Sequence, residues 1–339
     1  MNKKKLIPLA ALGTAIAALA VVLILLNRTQ SEEEETGIPL CTLDSASVTA
    51  IRYTDAAGDE PAEVALSKTD AGWVLDSDPE LPVDQTKAET IASNLTGLTA
   101  LRELGENADV DAMGFETPSY TFELTAGDET WNLTVGAKNP MTDAWYVRTA
   151  EDGPVFTVEL ADISGISKTP RQLYSAQSIT DLTVDDVTVM TVSTGSGELS
   201  FEQKDGTWTL ADDPDYTLDQ STVKKMANTI CNLTTQWTVT SPGADELYGL
   251  DAPNAVVTLV GTAGSVQCSF GGLTDADDTV CYLRSSGNPN VVYEVSAENL
   301  SAFAYDKASL AGATPETATS EDVVAEYPVG GADDFADAQ

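Results

Sequence analysis

Two tyrosine–arginine pairs are the first residues in this chain that could recognise a ligand. Tyr146 precedes Arg148 by two positions, and Tyr282 precedes Arg284 by two. On a β-strand that spacing puts both side chains on one face. A guanidinium fork beside an aromatic ring can hold an anionic or aromatic group. The competing reading is an arginine that meets a neighbouring carboxylate. Asp84 and Asp219 could serve as acid–base groups, but each stands where a helix should begin, and a short acceptor side chain there caps the free N–H groups. Asp275, Asp277 and Asp278 crowd one loop. Oxygen-rich loops can hold calcium, yet the EF-hand spacing is missing, with no turn glycine and no closing glutamate. Trp73 and Trp208 could be stacking platforms, but both start strands with apolar followers, which reads as core. No metal and no cofactor is expected.

Other chemistry is excluded by composition. The chain has no histidine, so Ser-His-Asp and Cys-His catalysis and the His-Glu-x-x-His zinc site cannot be built. Gly195-Ser196-Gly197 is not followed by Lys-Ser/Thr and reads as a turn, not a phosphate loop. The four cysteines, Cys41, Cys231, Cys268 and Cys281, form no Cys-x-x-Cys pair. Cys268 and Cys281 flank an expected hairpin loop and could face each other. A disulfide in an oxidising compartment and two small buried thiols are the two outcomes. Lys and Arg number 17 against 54 Asp and Glu, a net charge of −37. Lys3, Lys4, Lys5 and Arg28 lie in the first thirty residues, which hold no acid, so the rest carries 13 bases against 54 acids. Such a surface repels phosphate backbones, and nucleic acid is not an expected partner.

The apolar run Leu6–Leu26 holds 21 residues without a charge. A helix of about 20 such residues spans a bilayer. The basic end 1–5 should stay in the cytoplasm by the positive-inside rule, leaving everything after Arg28 outside. A cleaved signal peptide is the alternative: Ala18-Leu19-Ala20 has the cleavage pattern, but cutting there would leave an apolar new N-terminus. Residues 27–43, with Glu32–Glu35, read as an acidic stalk.

The elements that must position the tyrosine–arginine pairs occur twice. Trp73 and Trp208, Asp84 and Asp219, and Gly136 and Gly271 each match at an offset of 135. Gly114-Phe115-x-x-Pro118 matches Gly249-Leu250-x-x-Pro253 at the same offset, and the Tyr-x-Arg pairs follow at 136. Units of this length can each hold a core, so the period means a duplicated domain and not a solenoid. Each copy reads as strands, one helix, then more strands. In the first copy, Val48–Tyr53, Val64–Leu66 and Trp73–Leu75 precede a helix whose apolar stripe is Ala88, Ile91, Leu95, Leu98 and Leu101. The second helix shows Val223, Met226, Ile230 and Leu233. Strands then run near Tyr120–Thr125, Thr130–Val135, Ala144–Arg148 and Val155–Val158, with their counterparts through Val291–Val295. The expected fold is α+β: two tandem copies of a mostly antiparallel sheet with one packed helix, preceded by one transmembrane helix. The expected boundaries are 44–165 for the first copy, 166–180 for a linker, 181–305 for the second copy and 306–339 for an acidic, disordered tail.

The order Trp73, Val83-Asp84, Gly114-Phe115-x-x-Pro118, Val135-Gly136, Tyr146-Val147-Arg148, repeated from Trp208 to Arg284, resembles the bacterial family called domain of unknown function 4340. The likeness covers about Asp44 to Tyr305. It implies one N-terminal membrane helix and an accessory role beside an ABC-type exporter of the gliding-motility kind, with the permease or its auxiliary subunit as partner. It carries no catalytic residues. The expectation is therefore a non-enzymatic accessory or scaffold protein, single-pass in the cell membrane, with its repeat domains extracytoplasmic. The alternatives are a solute- or glycan-binding module and, less favoured, a hydrolase built on a carboxylate pair, which needs no histidine.

Overall fold

A computed structural model of the protein describes residues 37–58, 61–105, 109–274 and 278–312. The expected membrane helix, most of the stalk, Asp275, Asp277 and the end of the tail lie outside those residues. Among the described residues, no helix is long and apolar enough to cross a membrane.

The chain divides into two compact units, Met1–Ser178 with Thr234–Gly243 and Asn290–Val295, and Ile179–Leu233 with Ala244–Pro289 and Ser296–Gln339. The first copy begins with a short strand β1 (Ile38–Pro39) and then forms a hairpin series: β2 (Ala50–Asp55), β3 (Ala62–Thr69) and β4 (Gly72–Leu75). A helix, Gln85–Thr96, carries the chain away from that edge to β5 (Thr99–Ala100), which pairs with β1, and β6 (Arg102–Glu103). The chain then returns through β7 (Tyr120–Ala126), β8 (Glu129–Lys138), β9 (Trp145–Arg148) and β10 (Phe156–Val158). The resulting sheet has the order β4-β3-β2-β7-β8-β9-β10-β6. The chain thus enters at the middle, walks to one edge, crosses with the helix to the other edge, and returns to pair β7 with β2.

The second copy repeats this course. It runs β11 (Val187–Thr194), β12 (Gly197–Lys204), β13 (Thr207–Leu210), a helix Gln220–Cys231, β14 (Trp237–Val239), β15 (Ala255–Gly261), β16 (Gly264–Leu273), β17 (Val280–Ser285) and β18 (Asn288–Ser296). Its sheet has the order β13-β12-β11-β15-β16-β17-β18-β14, the same arrangement strand for strand. The sequence had shown the duplication; the eight-strand sheets extend it to edge strands β6 and β14, too short to show a period.

Both helices start as their residues dictate. Asp84 Oδ1 accepts from the Lys87 amide, and Asp219 Oδ1 accepts from the Ser221 and Thr222 amides. Behind each aspartate stands a glutamine with a second role. Gln85 exchanges two hydrogen bonds with the Trp73 backbone and Gln220 does the same with Trp208, which locks the helix onto the edge strand. Ala88, Ile91, Ala92 and Leu95 are buried on the first helix, and Val223, Met226, Ala227 and Ile230 on the second. The stripe ends earlier than its spacing suggested. Gly97 caps the first helix, Leu98 is buried beyond it, and Leu101 sits between two short strands at 50% exposure. Under the first helix lie alternate residues of the sheet, Ile51, Tyr53, Val64, Leu66, Phe122 and Leu124 among them. Trp73 and Trp208 are both 2% exposed and belong to the cores.

The join holds structure that composition concealed. Thr169 and Gln172 form a reciprocal capping box around the short helix Pro170–Leu173. In the first unit, Arg171 makes a two-pronged pair with Glu294, at 2.8 and 3.0 Å, and stacks over Trp237. Tyr174 OH bonds to Thr235 and Thr238 beside them.

Candidate functional site

The family-like motifs converge on one piece of architecture. The register of β8 against β9 shifts between Val135 and Lys138, and that of β16 against β17 between Phe270 and Leu273. Gly136 and Gly271 occupy these bulges. A Cβ on Gly136 would stand 2.1 Å from the Met113 carbonyl oxygen, and one on Gly271 would stand 2.2 Å from that of Tyr248. The turns Val110–Met113 and Asp245–Tyr248 therefore press directly on the bulge. Each turn ends in a left-handed glycine, Gly114 at φ 78° and Gly249 at φ 64°, which releases the chain toward the proline-marked start of the next strand.

The tyrosine–arginine pairs lie beside these bulges, and as expected each pair shares a strand face. Tyr146 packs against the small cluster of Met113, Phe115 and Val155. Tyr282 meets Tyr248 edge to face, with ring centroids 4.9 Å apart. The arginines then differ. Arg284 Nη1 lies 2.7 Å from Asp245 Oδ1. The guanidinium carbon of Arg148 lies 4.6 Å from the Phe115 ring centroid, and its Nη1 donates to the Glu151 backbone carbonyl. In both copies Nε is buried without a hydrogen-bond partner.

The register also reveals a surface that linear reading missed. Cross-strand pairing aligns Glu63, Thr54, Thr121, Thr134 and Arg148 in one row across five strands. The second sheet aligns Glu198, Ser193, Val256, Ser269 and Arg284 in the corresponding row. Each row begins with a carboxylate and ends with a guanidinium roughly 19 Å away at four strand spacings; three threonines stand between in the first, and two serines flanking Val256 in the second. None of these side chains is fully buried. The row lies on the sheet face opposite the helix, because its residues alternate with the core residues. On this face of the first sheet, Arg52, Thr54, Glu63, Thr121, Glu123 and Asn132 line a shallow concavity of about 240 Å³. The signal was present as alternation, but it needed the register to become a row.

Of the two outcomes for Cys268 and Cys281, that same register supports two buried thiols and not the possible disulfide. Cys268 faces Ser285, whereas Cys281 faces Leu273, so the two thiols sit on neighbouring strands several residues out of step. All four cysteines are free. Burial pushes the Cys268 thiol up to about 12 and the Cys281 thiol up to about 11, which makes both poor nucleophiles. Asp84 and Asp219 are engaged as caps, and Asp219 is held at about 2 by hydrogen bonds, first from Ser221 and Thr222. Among the described residues, no three His, Cys, Asp or Glu side chains gather as a metal site.

A family model described as a domain of unknown function (DUF4340) matches residues 73–209 and again 208–323. The chain belongs to this family. The DUF4340 frame begins at the tryptophan strand of each copy, β4 and β13, and not at the first strand of each sheet. Its first match therefore runs on into the first three strands of the second sheet. No curated protein and no solved structure matches the chain.

Proposed function

We propose that this DUF4340 protein is a membrane-anchored, extracytoplasmic accessory or scaffold protein of an ABC-type transport complex of the gliding-motility kind. Its partner would be the permease or an auxiliary subunit. The observation that carries the reading is the duplicated row: two sheets each display a line from a carboxylate to a guanidinium on the face away from the helix, with three threonines between in the first and two serines flanking Val256 in the second. A surface repeated in both copies suits a scaffold that holds a partner at more than one point, where linked contacts reinforce each other. The uncharged run Leu6–Leu26 behind Lys3-Lys4-Lys5 supports a single-pass anchor with the cytoplasm on the N-terminal side. The acidic composition supports a protein partner over nucleic acid.

Topology tests the first half of this reading. Protease added outside intact spheroplasts should remove the repeat domains and spare an N-terminal tag; full protection of the repeats would overturn it. A second reading, a solute- or glycan-binding module, draws on the same rows. It predicts that substituting Arg148 and Arg284 abolishes ligand binding with little change in melting temperature.

A further inference from the structure

The two arginines of the duplicated motif occupy the same place but differ in charge balance. In the second copy, Asp245 stands at the first position of the turn that presses on the bulge, and its carboxylate neutralises Arg284 at 2.7 Å. In the first copy the corresponding turn begins with Val110, which matches Asp245 at the offset of 135 and is 39% exposed. Among the described residues, no carboxylate lies within ion-pair distance of Arg148. Glu151, the nearest acid in sequence, gives Arg148 its backbone carbonyl and not its carboxylate. The orphaned Nε is common to both copies and so does not distinguish them.

We infer that the first copy holds an anion site at Arg148, for a carboxylate group, and that the second copy carries its own built-in occupant in Asp245. Three features fit a carboxylate. The Arg148 guanidinium is held over Phe115 and by the Glu151 carbonyl, so its position is set before a ligand arrives and less side-chain entropy is lost on binding. Nη1 is already engaged with a neutral oxygen, which leaves the formal charge uncompensated. The second copy shows which chemistry the frame accepts, because a carboxylate sits on the equivalent Nη1 there. A chain of net charge −37 repels anions at long range. The site therefore selects by short-range geometry, and its affinity for a simple carboxylate should be weak and salt-sensitive. This inference does not depend on the transport role.

The test is Arg Nε–Hε NMR on the full-length protein in detergent micelles, labelled with ¹⁵N-arginine and titrated with acetate, then succinate, against equal chloride. The Arg148 resonance should shift saturably with carboxylate and not with chloride, while Arg284 stays fixed. Val110→Asp should weaken that response at least tenfold, and Asp245→Val should give Arg284 the response it lacks. Both variants change turn positions at the surface, and unchanged spectra elsewhere confirm their folding. No saturable shift at Arg148, equal shifts at both arginines, or a Val110→Asp protein that binds as well as the parent would each overturn the inference. A pull-down that finds no transporter subunit would leave these spectra unaffected, so the two readings fail separately.

Discussion

Replacing Gly136 by alanine puts a methyl group where the turn Val110–Met113 already stands. The ideal Cβ would lie 2.1 Å from the Met113 carbonyl oxygen, well inside the 3.0 Å below which real Cβ atoms essentially never approach. The obstructing atom is backbone, so no rotamer change relieves the clash, and either the bulge or the turn must move. Overpacking of this kind costs about 1–3 kcal/mol, and a backbone obstacle places the cost at the upper end. At roughly 2–4 °C per kcal/mol for a domain of this size, the melting temperature should fall by about 6–12 °C. Gly271→Ala, with its Cβ 2.2 Å from the Tyr248 carbonyl oxygen, should behave alike. Gly195→Ala is the control: nothing lies within 4 Å of its Cβ, and its stability should stay within about 0.5 kcal/mol of the parent. Calorimetry or urea denaturation reads all three. A Gly136→Ala protein as stable as Gly195→Ala would show that the turn does not press on the bulge.

Three further outcomes follow from the same contacts. Asp219 has a folded value of about 2 against the ordinary 3.8, so the stability it contributes is present above about pH 4 and is lost as pH falls toward 2. The melting temperature of Asp219→Ala should therefore lie below that of the parent at pH 5, and the gap should close on acidification; a gap independent of pH would refute the capping account. Arg171→Ala leaves the Glu294 carboxylate, 9% exposed, without its two-pronged partner. Breaking a buried pair costs about 3–5 kcal/mol, and the half-exposed arginine lowers the expectation to about 2 kcal/mol by urea denaturation. Without reductant, the unfolded protein should show four reactive thiols and the native protein should protect Cys268 and Cys281; two thiols on unfolding would restore the disulfide.

Much of this fold was legible because duplication made each signal visible twice. The paired Trp, Asp and Tyr-x-Arg positions marked the tryptophan strands, the helix starts and the strand faces. The helix ends were less legible, since Leu98 and Leu101 continue an apolar spacing that Gly97 interrupts. Edge strands β6 and β14 have two and three residues, too few to show alternation, and exist through pairing with β10 and β18. The short helix Pro170–Leu173 did carry a local sign, Thr169-x-x-Gln172, inside a segment read as linker. Gly136 and Gly271 stood out as a matched pair, but their reason, a carbonyl from a distant turn, is tertiary. At the candidate site the two arginines part company: Arg284 meets the carboxylate of Asp245, whereas Arg148 lies over the Phe115 ring.

The most direct measurement of the proposed role is recovery of the full-length tagged protein from its native membrane in mild detergent, with quantitative mass spectrometry of what accompanies it. The account predicts enrichment of an ABC permease or its auxiliary subunit, and loss of that enrichment when Glu63, Thr54, Thr121 and Thr134 of the first polar row are replaced by lysines without loss of folding. Recovery of the protein with no transporter subunit, across several detergents and after cross-linking, would contradict it.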